Sequence, residues 1–324
     1  MRSIYSFTLS VCVVALGSIG VTHAANFPAK TIKIVVPFTP GGAVDSVARI
    51  LAEELTKQED TNVIVENKPG AGGAIGVSNV TKAKADGYTL LLGSIGPITI
   101  NPSLYDDLPY SVSDELAPIA LLANTPLLIA SQPNGDIKNI DDLIKALEEE
   151  PESKTYGSAG VGNITHLATE YFLDSVNVKA VHVPYQGSAP AIADFLGGRL
   201  DFIFDVVPTA TPYVKDGQYQ PLAVTTSKRS DAIPDVPTLE ELGHGPFDVS
   251  SWFGIFAPSA TPDEILEKLN EMTNTALKSE EVQNKLKSMG YNAVGGSQDS
   301  FKEFVESETS RWAKVVNDVG AQQD

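Results

Sequence analysis

Apolar residues follow two different periods in the first third of the chain. Residues 31–36, 63–65 and 88–92 are short runs rich in β-branched residues and leucine, which is typical of buried strands. After the first run the apolar period lengthens to that of one helix face, at Val44, Val47, Ala48, Leu51 and Leu55. Glycines at residues 70–76 favour the start of a second helix. This β-α-β-α-β order predicts a largely parallel sheet covered by helices.

The alternation restarts after an apolar stretch at residues 119–130, which residues 124–126 interrupt. An apolar stripe at helical spacing from Phe301 to Val316 predicts a helical C-terminal segment. Between these two segments the pattern predicts helices at residues 139–148, 163–174 and 189–196, and strands at residues 155–156, 178–183, 201–205, 222–225 and 251–257.

Two α/β blocks, joined near residues 119–130 and again near residues 247–257, predict a hinged protein. The last helices most simply return to the first block. We therefore expect lobe 1 to comprise residues 25–124 and 251–324, and lobe 2 to comprise residues 125–250. Open α/β sheets bind ligands at the carboxyl ends of their strands, so the interlobe cleft is the expected site.

The first 24 residues have the pattern of a secretory signal peptide. Arg2 supplies the positive charge, residues 7–21 are apolar, and small residues place the cleavage site near Ala24. Cys12 is the only cysteine, and because no small residue precedes it, a lipoprotein anchor is the weaker alternative. We expect a periplasmic mature chain without disulfides.

The charge balance narrows the class of ligand. The chain has 23 basic and 41 acidic residues, a net charge of -18, and loss of Arg2 with the signal peptide makes it -19. Such a field repels nucleic acid, so DNA or RNA binding is excluded. An anionic small molecule gains no long-range attraction either, so any anion site must be built locally.

The first candidate site is the turn at residues 37–42, between a strand and a helix. Gly41 and Gly42 let the backbone approach a ligand, the helix start offers free N–H groups, and Phe38 and Thr39 flank them. Asp45 falls where a carboxylate accepts helix-start N–H groups. The alternative is an ordinary strand-to-helix turn.

A second turn, at residues 157–163, repeats this design in the other block, with Ser158, Gly160, Gly162 and Asn163 before a helix. Together the two turns offer N–H groups and hydroxyls to a carboxylate without any lysine or arginine. The alternative for Asn163 is a simple helix N-cap.

Three further residues follow strands and are candidate ligand contacts. Ser94 is placed to donate a hydrogen bond, and Tyr185 to form a wall or donate from its phenol, with packing as the alternative. Asp205 either accepts from a ligand amine or hydroxyl, or caps the helix at residue 208.

Other chemistries are poorly supported. Residues 70–76 do not match the glycine spacing of a dinucleotide site, and the three histidines after the signal peptide lack the spacing of metal ligands, so no cofactor and no metal are expected. A hydrolase with a Ser158–His166–Asp205 triad is an alternative, but residues 157–160 are not a nucleophile elbow. We predict no catalytic residue.

Several short motifs, in order along the chain, resemble those of the substrate-binding proteins of tripartite tricarboxylate transporters, the Bug receptors. They are Pro37-Phe-Thr-Pro-Gly-Gly42 with Asp45 and Ala48-Arg49, Val65-Glu-Asn-Lys-Pro-Gly-Ala-Gly-Gly73, Asp86-Gly-Tyr-Thr-Leu-Leu91, Asn101-Pro102, Tyr156-Gly-Ser158 with His166-Leu167, His182-Val-Pro-Tyr185 with Gly187, Leu222-Ala-Val-Thr225, Val236-Pro-Thr238, and Trp252-Phe-Gly254 with Ala257-Pro258.

The resemblance implies a type II periplasmic-binding-protein fold, of α/β class, which closes on a small carboxylate and has no catalytic residue and no cofactor. In such receptors the loops matching residues 37–42 and 157–163 hold one carboxylate. Residues 95–98 depart from the usual small polar run and predict a more apolar distal pocket. We expect a monomeric receptor that delivers its ligand to membrane permease subunits, with a periplasmic ligand sensor as the alternative.

Overall fold

The computed structural model describes residues 27–59 and 61–321. The predicted signal peptide lies outside the described residues. No helix in these two ranges is long and apolar enough to cross a membrane. The strands are β1 (Ile32–Val36), β2 (Val63–Asn67), β3 (Thr89–Ser94), β4 (Leu116–Ser131), β5 (Thr155–Ser158), β6 (Val181–Pro184), β7 (Phe202–Val206), β8 (Gln220–Val224), β9 (Ser250–Pro258) and β10 (Asn292–Ala293).

The helices fall between these strands largely where the apolar period predicts them. They are α1 (Ala43–Gln58), α2 (Ala74–Thr81), α3 (Asn101–Leu104), α4 (Val112–Glu115), α5 (Ile140–Glu149), α6 (Ile164–Ser175), α7 (Ser188–Leu196), α8 (Val207–Lys215), α9 (Asp263–Lys278), α10 (Glu280–Ser288) and α11 (Gln298–Asp318). A 3₁₀ turn at Ala71–Gly73 precedes α2, and a π turn at Gly96–Ile100 precedes α3.

The strands of the described residues form one mixed sheet, in the order β2-β1-β3-β9-β4-β7-β5-β6, with β8 and β10 also pairing with β4. Strand pairs inside each predicted block are parallel, as β1 is with β2 and β3, and β5 is with β6 and β7. The prediction of a largely parallel sheet fails at β4 and β9, whose pairs are all antiparallel. These two strands carry the chain between the blocks, so they need not follow the β-α-β rule.

Strand β4 corrects a second prediction. Residues 124–126 do not interrupt the apolar stretch, because they continue one strand of 16 residues. Its first part, to Pro126, pairs with β9, and its last five residues pair with β7. Two register shifts in the first part show that the strand is irregular rather than broken.

The last helices pack on elements of the first block, and α11 also packs against α6 of the second. α9 and α10 share a core cluster with α1 and with the apolar residues of β1. α11 instead joins a larger cluster that contains Val35 of β1, Trp252 of β9, Phe172 of α6 and its own Trp312. Because Phe172 belongs to the second block, this buried cluster is continuous between the two predicted blocks.

Candidate functional site

The 37–42 loop leads from β1 into α1 and leaves several amides unused. Gly41 has a φ of 87°, a left-handed conformation that favours glycine, and Gly42 is the helix N-cap without any side-chain cap. Thr39 to Gly42 are exposed. In the first turn of a helix the N–H groups have no intrahelical partner, so α1 presents these donors, and its positive dipole end, to this surface.

Asp45 holds this loop in place rather than facing away from it. It is 3% exposed, and its carboxylate accepts from the Gly41 N–H at 2.9 Å, from Arg49 at 2.9 and 3.0 Å, and from the Asn67 amide at 2.9 Å. The Asn67 amide also donates to the Phe38 carbonyl at 3.0 Å. The Arg49 guanidinium, the Gly41 amide and the Asn67 amide together lower the pKa of Asp45 to about 2, against the burial that raises it.

Arg49 of α1 and Asn67 of β2 therefore support the 37–42 loop from outside it, although in the sequence they stand out only as members of the family motifs. Because Asp45 neutralises Arg49, the loop carries no unpaired cation. Both oxygens of Asp45 are engaged, Oδ2 by Gly41 and Arg49 and Oδ1 by Arg49 and Asn67, so the geometry favours a positioning role for it over a direct ligand contact.

Phe38 and Ser94 flank the same surface from neighbouring elements. A Cβ placed on Gly73 would lie 3.2 Å from Cβ of Pro97 and 3.5 Å from Cζ of Phe38, so Gly73 packs beside this ring. Ser94 ends β3 opposite Phe253, is 6% exposed, and has no side-chain hydrogen bond with any described residue. Ile95 and Ile98 are buried in the core cluster, and a more apolar distal pocket at residues 95–98 stays a prediction.

Most amides of the 157–163 loop already donate hydrogen bonds to groups of the loop itself or of the start of α6. Ala159 N–H donates to the Thr165 hydroxyl at 2.9 Å, and Gly162 N–H to Nδ1 of His166 at 3.2 Å. Asn163 accepts from Thr165 N–H at 3.0 Å, which confirms the N-cap interpretation. Within the described ranges, the amides of Val161 and Ile164 have no hydrogen-bond partner, so this loop offers fewer donors than its sequence suggests.

Ser158 is bound to a histidine that the sequence did not select as a site residue. Its Oγ lies 2.6 Å from Nε2 of His182, whose ring stacks on His166 at 4.0 Å between centroids. Burial lowers the pKa of His166 to about 3 and that of His182 to about 4, so both rings are neutral. The described residues contain no group of three His, Cys, Asp or Glu side chains that could hold a metal ion.

The Ser158–His166–Asp205 triad is not assembled. The Asp205 carboxylate accepts from the hydroxyls of Thr209 and Tyr219, and Nδ1 of His166 accepts from a backbone amide. Asp205 is 2% exposed, and burial raises its pKa to about 6. Thr209 lies in the first turn of α8, so its hydrogen bond to Asp205 connects this carboxylate to the start of the helix.

Asp205 and Ser158 nevertheless line one small cavity of about 10 Å³, together with Thr165 and Ser188. This volume is on the scale of a single water molecule. Tyr185 lies beside it, because a Cβ on Gly157 would be 3.4 Å from its ring. The Tyr185 hydroxyl donates to Asp194 at 2.8 Å, so its proton is already used.

One contact joins the 157–163 loop to the first block. A Cβ on Gly162, whose φ is 73°, would lie 2.3 Å from Cδ2 of the buried Leu104 in α3. No hydrogen bond connects the 37–42 loop with the 157–163 loop among the described residues. Gly162 thus packs on α3 of the first block, without a polar contact between the two loops.

Three comparisons place the chain among known proteins. A profile described as the tripartite tricarboxylate transporter family receptor matches residues 47–321. BugT of Bordetella pertussis is 34% identical over 314 residues, which are 97% of this chain and 96% of that protein.

Two solved structures of Rhodopseudomonas palustris proteins share the fold. One, with adipate, has a TM-score of 0.80 and 34% identity, covering 91% of this chain and 98% of that one. The other is MatC with bound malate, with a TM-score of 0.76 and 30% identity, covering 90% of this chain and 100% of that one. The chain belongs to the tripartite tricarboxylate transporter receptor family, which consists of periplasmic solute receptors with this mixed α/β fold.

Proposed function

We propose that this protein is an extracytoplasmic receptor that binds a small organic carboxylate and delivers it to the membrane subunits of a tripartite tricarboxylate transporter. The observation that carries the proposal is the 37–42 loop, which presents free helix-start amides and the Thr39 hydroxyl while Asp45 neutralises the nearby Arg49. Helix-start amides and hydroxyls are suited to carboxylates. The adipate and malate bound by two relatives support this ligand class.

The binding site in this proposal lies between two lobes, residues 25–124 with 251–324 and residues 125–250. The chain passes between them at neighbouring points, since Thr125 of β4 pairs with Ser251 of β9. Two adjacent strands are a suitable hinge, because small changes in their dihedral angles move the lobes together. A ligand that touches both lobes then favours the closed form.

The proposed ligand contacts have different functions. Thr39, Gly42 and Ser94 donate from the first lobe, while Phe38 shapes its surface. From the second lobe the donors are the Ser158 hydroxyl and the free amides next to Gly160 and Asn163, which are those of Val161 and Ile164. Positioning roles fall to the residues already engaged in internal hydrogen bonds, namely Gly41, Asp45, Gly162, Tyr185 and Asp205.

Isothermal titration calorimetry of the mature chain tests the ligand class. The panel contains adipate, malate, citrate and acetate, with adipamide and glucose as neutral ligands. We expect a carboxylate to bind with a Kd near micromolar, about -8 kcal/mol, and the neutral ligands not to bind. Binding of glucose or adipamide, with no binding of any carboxylate, would contradict the proposal.

A pair of matched variants tests the site. Thr39→Ala removes a hydroxyl from the 37–42 loop, and we expect about a tenfold weaker Kd from the loss of one charge-assisted hydrogen bond. Thr275→Ala removes an exposed hydroxyl from α9 and is the control. Equal affinities of the two variants would remove this loop from the site. Loss of carboxylate uptake in a strain lacking the gene tests delivery and separates a transport receptor from a sensor.

A further inference from the structure

The Ser158 hydroxyl has more potential partners than it has protons. Its Oγ lies 2.6 Å from Nε2 of His182, and 3.2 Å from both the carbonyl oxygen and the amide nitrogen of Gly160. The amide must donate to Oγ, since an amide nitrogen accepts nothing. The single hydroxyl proton is then directed either to His182 or to the Gly160 carbonyl, but not to both.

The tautomer of His182 decides between these two arrangements. The ring is neutral, so one of its two nitrogens carries the only proton. If Nε2 is bare, it takes the Ser158 proton, and the hydroxyl then offers only lone pairs to its other neighbours. If Nε2 carries the proton, it donates to Oγ, and the Ser158 proton is free to turn from the Gly160 carbonyl toward a ligand.

The surroundings hold the His182 ring in one plane. The parallel pairing of β5 with β6 places His182 opposite Tyr156, whose ring stacks on it at 4.9 Å and 13°. On its other face His166 stacks at 4.0 Å and 9°. His166 cannot change tautomer freely, because its Nδ1 accepts from Gly162 N–H. The ring can therefore keep Nε2 aimed at Ser158 while a ligand binds.

The other nitrogen of His182 has no hydrogen-bond partner among the described residues. Both His166 and His182 line a cavity of about 620 Å³ between α6, β6 and the end of α11. Solvent in this cavity can hydrogen-bond the second nitrogen in either tautomer. Solvation therefore does not select a tautomer. On the Ser158 side, only the tautomer with a proton on Nε2 leaves the hydroxyl proton for the Gly160 carbonyl, which also accepts from Asn163 N–H at 3.2 Å, so this tautomer makes one hydrogen bond more.

We propose that His182 carries its proton on Nε2 and acts as the positioning residue that makes Ser158 a hydrogen-bond donor to the bound carboxylate. This inference rests on the proposed function, because only an anionic ligand requires a donor here. A carboxylate meeting the opposite tautomer would face hydroxyl lone pairs, and affinity would fall.

Long-range ¹H–¹⁵N spectra of the histidine side chains read the tautomer in the mature chain, first without ligand and then with adipate and with malate. We expect a protonated, pyrrole-type Nε2 for His182 in every state. His166 serves as the reference, with a bare Nδ1. A pyridine-type Nε2 in His182 would overturn the inference while leaving carboxylate binding untouched, whereas failure of every carboxylate to bind would reject the proposed function as well.

Binding by variants gives the second readout. His182→Gln keeps an N–H donor near the position of Nε2, whereas His182→Phe keeps the stacked ring without any donor. We expect the Phe variant to weaken the carboxylate Kd about tenfold and the Gln variant to stay within about threefold of the parent. Equal losses in both variants would indicate only a packing role and overturn the inference.

Two controls complete the experiment. His244→Phe removes a histidine whose Nε2 contacts Asp141 on the surface, and its Kd should not change. In a Ser158→Ala background, His182→Phe should cause no further loss, since the two residues act through one hydrogen bond. An additive loss in the double variant would contradict the proposed relay. Should His182→Phe fail to fold, the Gln variant and the spectra still decide the outcome.

Discussion

Replacing Asp45 with asparagine is the most direct test of how the 37–42 loop is held. The substitution keeps the shape of the side chain but removes its charge. The Asn67 and Gly41 donors lose a carboxylate acceptor, and Arg49 loses its ion-pair partner. We expect a less stable protein and a weaker carboxylate Kd.

The size of the effect follows from the pKa of Asp45. Arg49 and the two amides lower it from 3.8 to about 2. By linkage, this difference corresponds to about 2.5 kcal/mol of stability at neutral pH. Because Arg49 is half-exposed and can turn into water after the substitution, we expect a loss of about 2 kcal/mol in the free energy of unfolding.

The sign of the pH dependence is fixed by the lowered pKa. The folded protein holds this carboxyl in its ionised form more strongly than the unfolded chain does. Its contribution is therefore fully present above the unfolded pKa, near 4, and is lost as the pH falls toward 2. The gap between the parent and Asp45→Asn should close over the same interval.

Urea unfolding followed by tryptophan fluorescence measures this gap, because Trp252 and Trp312 are both buried. Asp299→Asn is the matched control, since Asp299 also lies in the first turn of a helix but is exposed. We expect it to change stability by no more than about 0.5 kcal/mol. A similarly small change for Asp45→Asn at pH 7, or a gap that does not narrow in acid, would refute the role assigned to Asp45.

Three further predictions concern the 157–163 loop and Asp205 of β7. Gly162→Ala should destabilise the protein by about 1–3 kcal/mol in urea, because φ is 73° and the new Cβ meets Leu104; an unchanged midpoint would contradict this. Asn163→Ala should cost about 1 kcal/mol through loss of the α6 cap, seen as a lower Tm. Burial raises the pKa of Asp205 to about 6, so its ionisation opposes folding, and the parent should gain stability as the pH falls from 7 to 4. Asp205→Asn should remove this gain from the profile of unfolding free energy against pH. An unchanged profile would mean that other groups cause the gain.

The periodicity of the sequence predicts most of the elements because each strand or helix is decided by its own residues. Strand β1, for example, follows from a short apolar run that is almost wholly buried, and helix α1 follows from a helical stripe whose residues lie in the core. Strand β4 was mispredicted because Pro126 is a local signal against a strand. Its place depends on the pairing with Ser250 of β9, far away in the chain, which no local pattern contains.

The candidate site shows the same limit. The glycines and the hydroxyls of both loops could be found from the sequence, since they lie between a strand and a helix. The partners of those loops could not, because Asn67 reaches Asp45 only through the β1–β2 pairing, and His182 reaches Ser158 only through the β5–β6 pairing. The glycines of the 157–163 loop also suggested more free amides than the loop has, because Thr165 and His166 of α6 accept hydrogen bonds from two of its amides.

If the protein binds a carboxylate as we propose, these internal hydrogen bonds explain how an acidic protein holds an anion. The net charge of -18 repels a carboxylate at long range, so attraction must come from dipoles at short range. In the first loop the Asp45 carboxylate neutralises the charge of Arg49, so the N–H groups at the start of α1 supply the attraction. In the second loop the rings behind the Ser158 hydroxyl and the loop amides are those of His166 and His182, which are neutral rather than cationic. A neutral, directional site of this kind favours a ligand oxygen that lies along the N–H and O–H bonds, and it gives little affinity to an anion that cannot adopt that geometry.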